Sequence, residues 1–96
     1  MLIAVVEGSA VATLKHEALQ SSKILVVRRA DAEGVTAGEP FLAVDLVGAG
    51  EGELVIVSQG SSARMATGTS NSPADAAIVG ILDSLQAGGN ISFKKG

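Results

Sequence analysis

Four short runs of apolar, often β-branched residues most constrain what this chain can fold into. They span Leu2–Thr13, Ile24–Ala30, Phe41–Val47 and Glu53–Gln59. Turn-forming segments separate them, such as DAEG at 31–34 and AGEP at 37–40. Runs of this length at roughly even spacing predict a small all-β barrel or sandwich. Gly8 interrupts the first run, so we expect a bulge or bend there.

The segment after Arg64 allows two interpretations. Ser72 and Pro73 have the character of a helix start, and apolar residues follow at helical spacing. Gly80 and its β-branched neighbours argue against one long helix. We therefore expect a short helical turn over 73–77, a strand over 78–85 and a short C-terminal strand in ISFKK.

The composition is more apolar than a lone small domain requires. The chain has 96 residues, of which 47% are hydrophobic and 18% are charged. One domain is expected at this length, and it buries only about two-thirds of its unfolded surface. The apolar excess predicts that copies of the chain or another partner cover part of the surface.

Charge and aromatic content exclude several classes of partner. The formal net charge is −3, and the only aromatic residues are Phe41 and Phe93. Nucleic acids and anionic membranes require a basic surface, and single-strand binders also require stacking platforms. The apolar N-terminal run is interrupted by Glu7, and no run has the length of a membrane span. We expect a soluble, cytoplasmic protein that binds neither nucleic acid nor membrane.

The stretch VGAGEGELVIVSQGSSAR, at 47–64, places glycine at 48, 50 and 52. A dinucleotide-binding loop requires a further glycine at position 53 and a helix after it, but Glu53 and an apolar strand follow. The lysine of a P-loop is also absent. Between two strands these glycines can adopt positive φ or make room for close backbone approach. In an extended stretch all three lie on one side, which favours close contact with another chain.

Catalytic arrangements are incomplete in this sequence. GSSAR, at 60–64, resembles a nucleophile elbow, but Arg64 replaces the final glycine. His16 is the only histidine, and the aspartates are scattered along the chain. We therefore expect no catalysis, no metal site and no cofactor.

These motifs together resemble one known family. DLVGAGEGELVIVSQGSSAR, followed by SPADAAIVGILDSL, is similar to the vertex proteins of bacterial microcompartments, of the EutN/CcmL type. VVEGSAVATLKHEALQSSKILVV and GEPFLAVDLVGAG fit the same pattern. The resemblance covers about residues 1–85 within one domain of residues 1–96, and the tail at 86–96 is less typical.

The resemblance implies a five-stranded, OB-like barrel that assembles as a homo-pentamer. Such pentamers occupy the fivefold vertices of a protein shell, beside hexameric shell proteins. The glycine-rich stretch and the small-residue turn lie where the family's subunits meet. Transferred to this chain, the expected interface residues are Gly48, Gly50, Gly52, Ser61, Ser62 and Arg64.

Two other functions remain open from the residues alone. One is a small OB-type binding module for a nucleotide or acidic metabolite, with Arg64 as the anchor. The other is a hydrolase that uses Ser61 or Ser62. The mass of the native particle separates a shell protein from both.

Overall fold

A computed structural model describes residues 1–11, 22–67, 74–87 and 90–94. Its elements, in chain order, are β1 (Leu2–Ala10), β2 (Lys23–Arg29), β3 (Phe41–Asp45), β4 (Leu54–Gln59), α1 (Ser61–Ala66), β5 (Ala76–Ile81), β6 (Ser84–Ala87) and β7 (Asn90–Lys94). None of the helices in these ranges is long and apolar enough to cross a bilayer.

Five strands close into a barrel in the order β1-β2-β3-β5-β4. Neighbours are antiparallel except β3 and β5, which run parallel and pair only at Val44–Ala77 and Asp45–Ile78. β6 and β7 form a separate two-stranded sheet. The predicted fold class is confirmed: an all-β, five-stranded barrel with one short helix and a C-terminal strand.

Alternate residues of the barrel strands fill the core with small and β-branched side chains. The most deeply buried are Ala4, Val6, Val27, Val55, Val57 and Ile78, all at 1% exposure or less. Their modest volume suits the interior of a narrow barrel. The pairing of β1 with β2 shifts between Val6 and Gly8, so the predicted irregularity at Gly8 is a bulge.

The predictions for the segment after Arg64 were partly wrong. Ala76 and Ala77, which we expected in a helical turn, begin β5, and the strand ends at Ile81 instead of Leu85. Alanine favours helices, but β4 pairs with this segment from Ala76 to Ile81 and β3 pairs with its start. The short helix lies earlier in the chain, in α1. The predicted helix start at Ser72 and Pro73 lies outside the described residues.

Candidate subunit interface

The glycine-rich stretch forms a compact loop held by one carboxylate. Asp45 Oδ1 accepts hydrogen bonds from the backbone N–H of Val47 and Gly48, both at 3.1 Å, and Oδ2 accepts from Ala49 at 3.1 Å. The strand that we predicted to reach Val47 therefore ends at Asp45, because the chain turns around this side chain. Ala49 points into the core and is only 2% exposed.

The three glycines do not form an extended strip, and two of them instead take positive φ, which was the other role expected of glycine here. Gly48 has φ 77° and Gly52 has φ 87°, in the left-handed region where other residues are strained. Gly50 has no positive φ, and a Cβ there would make only an ordinary 3.4 Å contact with Glu53 Oε1. Backbone conformation therefore explains Gly48 and Gly52, whereas the described residues give no conformational reason for Gly50.

The predicted small-residue turn at GSSAR is the start of α1, which packs against β4 and β5. Gly60 precedes the helix at φ 64° and ψ −139°, a conformation that strongly favours glycine. Ala63 is fully buried beneath the helix, whereas Ser61 and Ser62 are exposed. The sequence signal for α1 was weak because the helix has only six residues and no side-chain N-cap.

Arg64 differs from Arg28, an arginine of β2 in the barrel wall. Arg28 donates to Glu7 Oε2 at 3.0 Å and to the Gly38 carbonyl at 2.8 Å. Arg64 is half-buried, yet its side chain makes no hydrogen bond or ion pair with any residue in the described ranges.

The acids that the sequence offers as partners for Arg64 across a subunit boundary are Asp45, Glu53 and Asp75. Two of them already accept hydrogen bonds from backbone N–H groups within the loop. Asp45 holds the loop itself, and Glu53 Oε1 accepts from the Gly50 N–H at 2.6 Å. Asp75 is exposed, and its carbonyl accepts from the Gly60 N–H at 2.8 Å. This backbone bond joins the start of α1 to the start of β5.

The outer face of β2 and β3 is apolar, which the residue patterns had not identified as a site. Val26 is the register partner of Leu42, and Ile24 is that of Val44. Leu42 is 54% exposed, and Leu46 and Val47, in the loop that follows, are 42% and 40% exposed. The sequence did contain a signal for this site, because the third run is apolar at both odd and even positions. A strand with this pattern has apolar side chains on both faces, and the face outside the barrel is buried only when a partner covers it.

A cleft of about 170 Å³ opens beside this face, where β3 and β5 meet. Its walls are Ile24, Leu42, Ala43, Val44, Ala74, Asp75 and Ala76. On this wall the Asp75 carbonyl accepts a hydrogen bond from Gly60, at the start of α1. The glycine loop borders a different cleft, which Ala49, Gly50 and Glu51 line together with residues of β1 and β2.

Neither Ser61 nor Ser62 makes a side-chain hydrogen bond to a base among the described residues. Ser61 and Ser62 are exposed at the start of α1, and His16 lies outside the described residues. What the described residues of this region do show is exposed apolar side chains and backbone conformations that require glycine. These features suit contact between chains better than they suit chemistry on a small molecule.

Comparisons with known proteins agree on one family. A profile of the family described as "Ethanolamine utilisation protein EutN/carboxysome" matches residues 1–83. The microcompartment shell vertex protein EutN of Salmonella typhimurium is 43% identical over 95 residues, which are 99% of this chain and 96% of the relative. The carboxysome shell vertex protein CcmL of Synechococcus elongatus is 42% identical over 85 residues, which are 88% and 86% of the two chains.

A solved structure extends the similarity to the three-dimensional fold. It is described as the GrpN pentameric microcompartment shell protein from Rhodospirillum rubrum. The TM-score is 0.82 at 46% identity, and the match covers 91% of this chain and 99% of that one.

Proposed function

Since this chain belongs to the EutN/CcmL family, we propose that it is a structural shell protein whose pentamers cap the fivefold vertices of a bacterial microcompartment. The relatives are shell vertex proteins, and none of those compared is named as an enzyme. The shell lies in the bacterial cytoplasm, and the chain acts there without catalysis.

The similarity to a pentameric shell protein carries this proposal. The match to GrpN extends over 91% of the chain at 46% identity, so the whole barrel is shared and not one motif alone. The exposed apolar face of β2 and β3 gives a physical reason for assembly, because apolar area removed from water stabilises a complex. The alternative of an OB-type binding module has no support among the relatives.

The interface residues that we propose are Gly48, Gly50, Gly52, Ser61, Ser62 and Arg64. Two of them have the most specific support. Gly50 has no positive φ and no close Cβ contact among the described residues, which supports a role for it in the close approach of a neighbouring subunit. Arg64 is half-buried without an acceptor among the described residues, and a neighbouring carboxylate or carbonyl group would supply one.

A ring places different patches in contact at each boundary. In a closed cyclic assembly, one surface of a subunit meets a different surface of the next. Arg64 and the loop at 46–53 therefore contact other parts of the neighbour and not their own copies. At the outer edge of the pentamer, we propose that hexameric shell proteins are the neighbours.

The particle mass tests the proposed function directly. Native mass spectrometry and light scattering coupled to size exclusion should give about five times the 9.5 kDa mass of one chain. A stable monomer at micromolar concentration would refute a shell role. A ring of six would keep a structural role but would not fit a fivefold vertex.

A further inference from the structure

We propose that the cleft between β3 and β5 of each copy holds the β6–β7 hairpin of the next copy in the ring. The inference rests on the proposed pentamer and identifies the two surfaces that contact each other at each subunit boundary. The hairpin pairs with no other strand among the described residues, the cleft exposes apolar side chains, and a cyclic interface requires two different patches.

The cleft side offers an open strand edge together with an apolar wall. β5 pairs with β3 only from Val44 onward, so β3 ahead of that point has no strand on its β5 side within the described ranges. Leu42 lies in this open part and is 54% exposed. An uncovered sheet edge readily pairs with a strand of another chain. The cleft therefore fits an extended apolar segment better than it fits a helix or a small molecule.

The hairpin side requires support from outside its own sheet. β6 and β7 pair only with each other among the described strands, and they follow directly after the barrel closes. A two-stranded hairpin on its own is marginally stable in water. Its sequence includes Leu85, Ile91 and Phe93, which give it the composition of a buried segment.

Charge and position favour another copy of this chain as the occupant. Asp75 is exposed on the cleft wall, and β7 ends at the basic residue Lys94. The cleft is also continuous with the proposed interface, because Gly60 at the start of α1 donates to the Asp75 carbonyl at 2.8 Å. A neighbour that contacts the start of α1 therefore lies beside the cleft.

Cross-linking tests the placement in the full-length chain, which has no native cysteine. The double variant Leu42→Cys with Ile91→Cys is treated with a short bis-maleimide and run on a denaturing gel. We expect covalent species up to the pentamer, because each cleft contacts the hairpin of another chain. The control pairs Ile91→Cys with Val35→Cys, since Val35 is 62% exposed but does not line the cleft.

A substitution in the cleft gives a second, independent readout. Leu42→Glu should weaken the ring, because a carboxylate would be buried without a partner. The protein concentration below which rings dissociate should rise by at least about tenfold. The circular dichroism of the subunit should be unchanged, since Leu42 is exposed in the isolated chain. Val35→Glu should leave both the ring and the spectrum unchanged.

The outcomes separate this inference from the proposed function. Cross-links confined to single chains, or equal ladders from both cysteine pairs, would overturn the placement of the hairpin while the parent remains a pentamer. Leu42→Glu rings as stable as the parent would overturn it as well. A monomeric parent protein would instead refute the proposed function itself.

Discussion

Asp45 provides the most direct test of how the glycine loop is built. Its carboxylate accepts from the N–H groups of Val47, Gly48 and Ala49 at 3.1–3.3 Å. The change Asp45→Ala leaves these three donors to water and frees the segment that places Ala49 in the core. The loop should then lose its fixed conformation, and the barrel should lose stability.

The magnitude follows from the number of bonds. A typical hydrogen bond contributes about 1 kcal/mol net, and bonds to charged groups contribute somewhat more. Because Asp45 is partly exposed, we use the lower value, and three donors give roughly 2–3 kcal/mol for Asp45→Ala. Asp45→Asn keeps an oxygen for Val47 and Gly48 but presents an amide to the Ala49 N–H, so its cost should be about 1 kcal/mol. Domains typically have about 5–15 kcal/mol of stability in total, so both losses are measurable.

Urea unfolding followed by circular dichroism measures these differences. A ring dissociates as it unfolds, so parent and variants must be compared at equal concentrations over at least a tenfold range. Glu51→Ala is the matched control: it removes the same charge from the same loop, and Glu51 is exposed with no side-chain hydrogen bond to the described residues. An Asp45→Ala protein within about 0.5 kcal/mol of the parent would refute the reasoning.

Three further predictions concern the interface and the excluded partners. Arg64→Glu should give folded but dissociated subunits or aggregates, because losing one partner of a desolvated pair costs about 2–5 kcal/mol. Arg64→Lys should weaken the ring less. Circular dichroism with native mass spectrometry tests both variants, and an Arg64→Glu ring as stable as the parent would contradict the prediction. Gly52→Ala should destabilise the fold by about 1–2 kcal/mol because Gly52 has a positive φ, whereas Gly50→Ala should weaken mainly the ring. Urea unfolding measures the stability of the fold, and light scattering measures that of the ring. If the two variants changed fold and ring stability equally, the result would count against Gly50 at a subunit boundary. Labelled single-stranded DNA and RNA should show no salt-sensitive, sub-micromolar binding by fluorescence anisotropy, because the chain is acidic and has only two aromatic residues.

Local pattern alone was sufficient for much of the barrel. Short apolar, often β-branched runs bounded by turn residues predict β1 to β4, because such side chains favour strands whatever their partners are. The apolar excess likewise predicted a covered surface, since composition does not depend on topology. The family resemblance, which rests on several motifs at once, identified the shell protein from residues alone.

The tertiary structure decided the features that depend on contacts between distant residues. Ala76 and Ala77 are good helix formers, but they lie in a strand because pairing with β4 and β3 closes the barrel there. The alternating glycines suggested an extended strip, yet Asp45 turns the chain and gives Gly48 and Gly50 different conformations. The cleft beside Leu42 arises where β3 and β5 begin to pair, a register that no local pattern contains, because it is set by strands more than thirty residues apart.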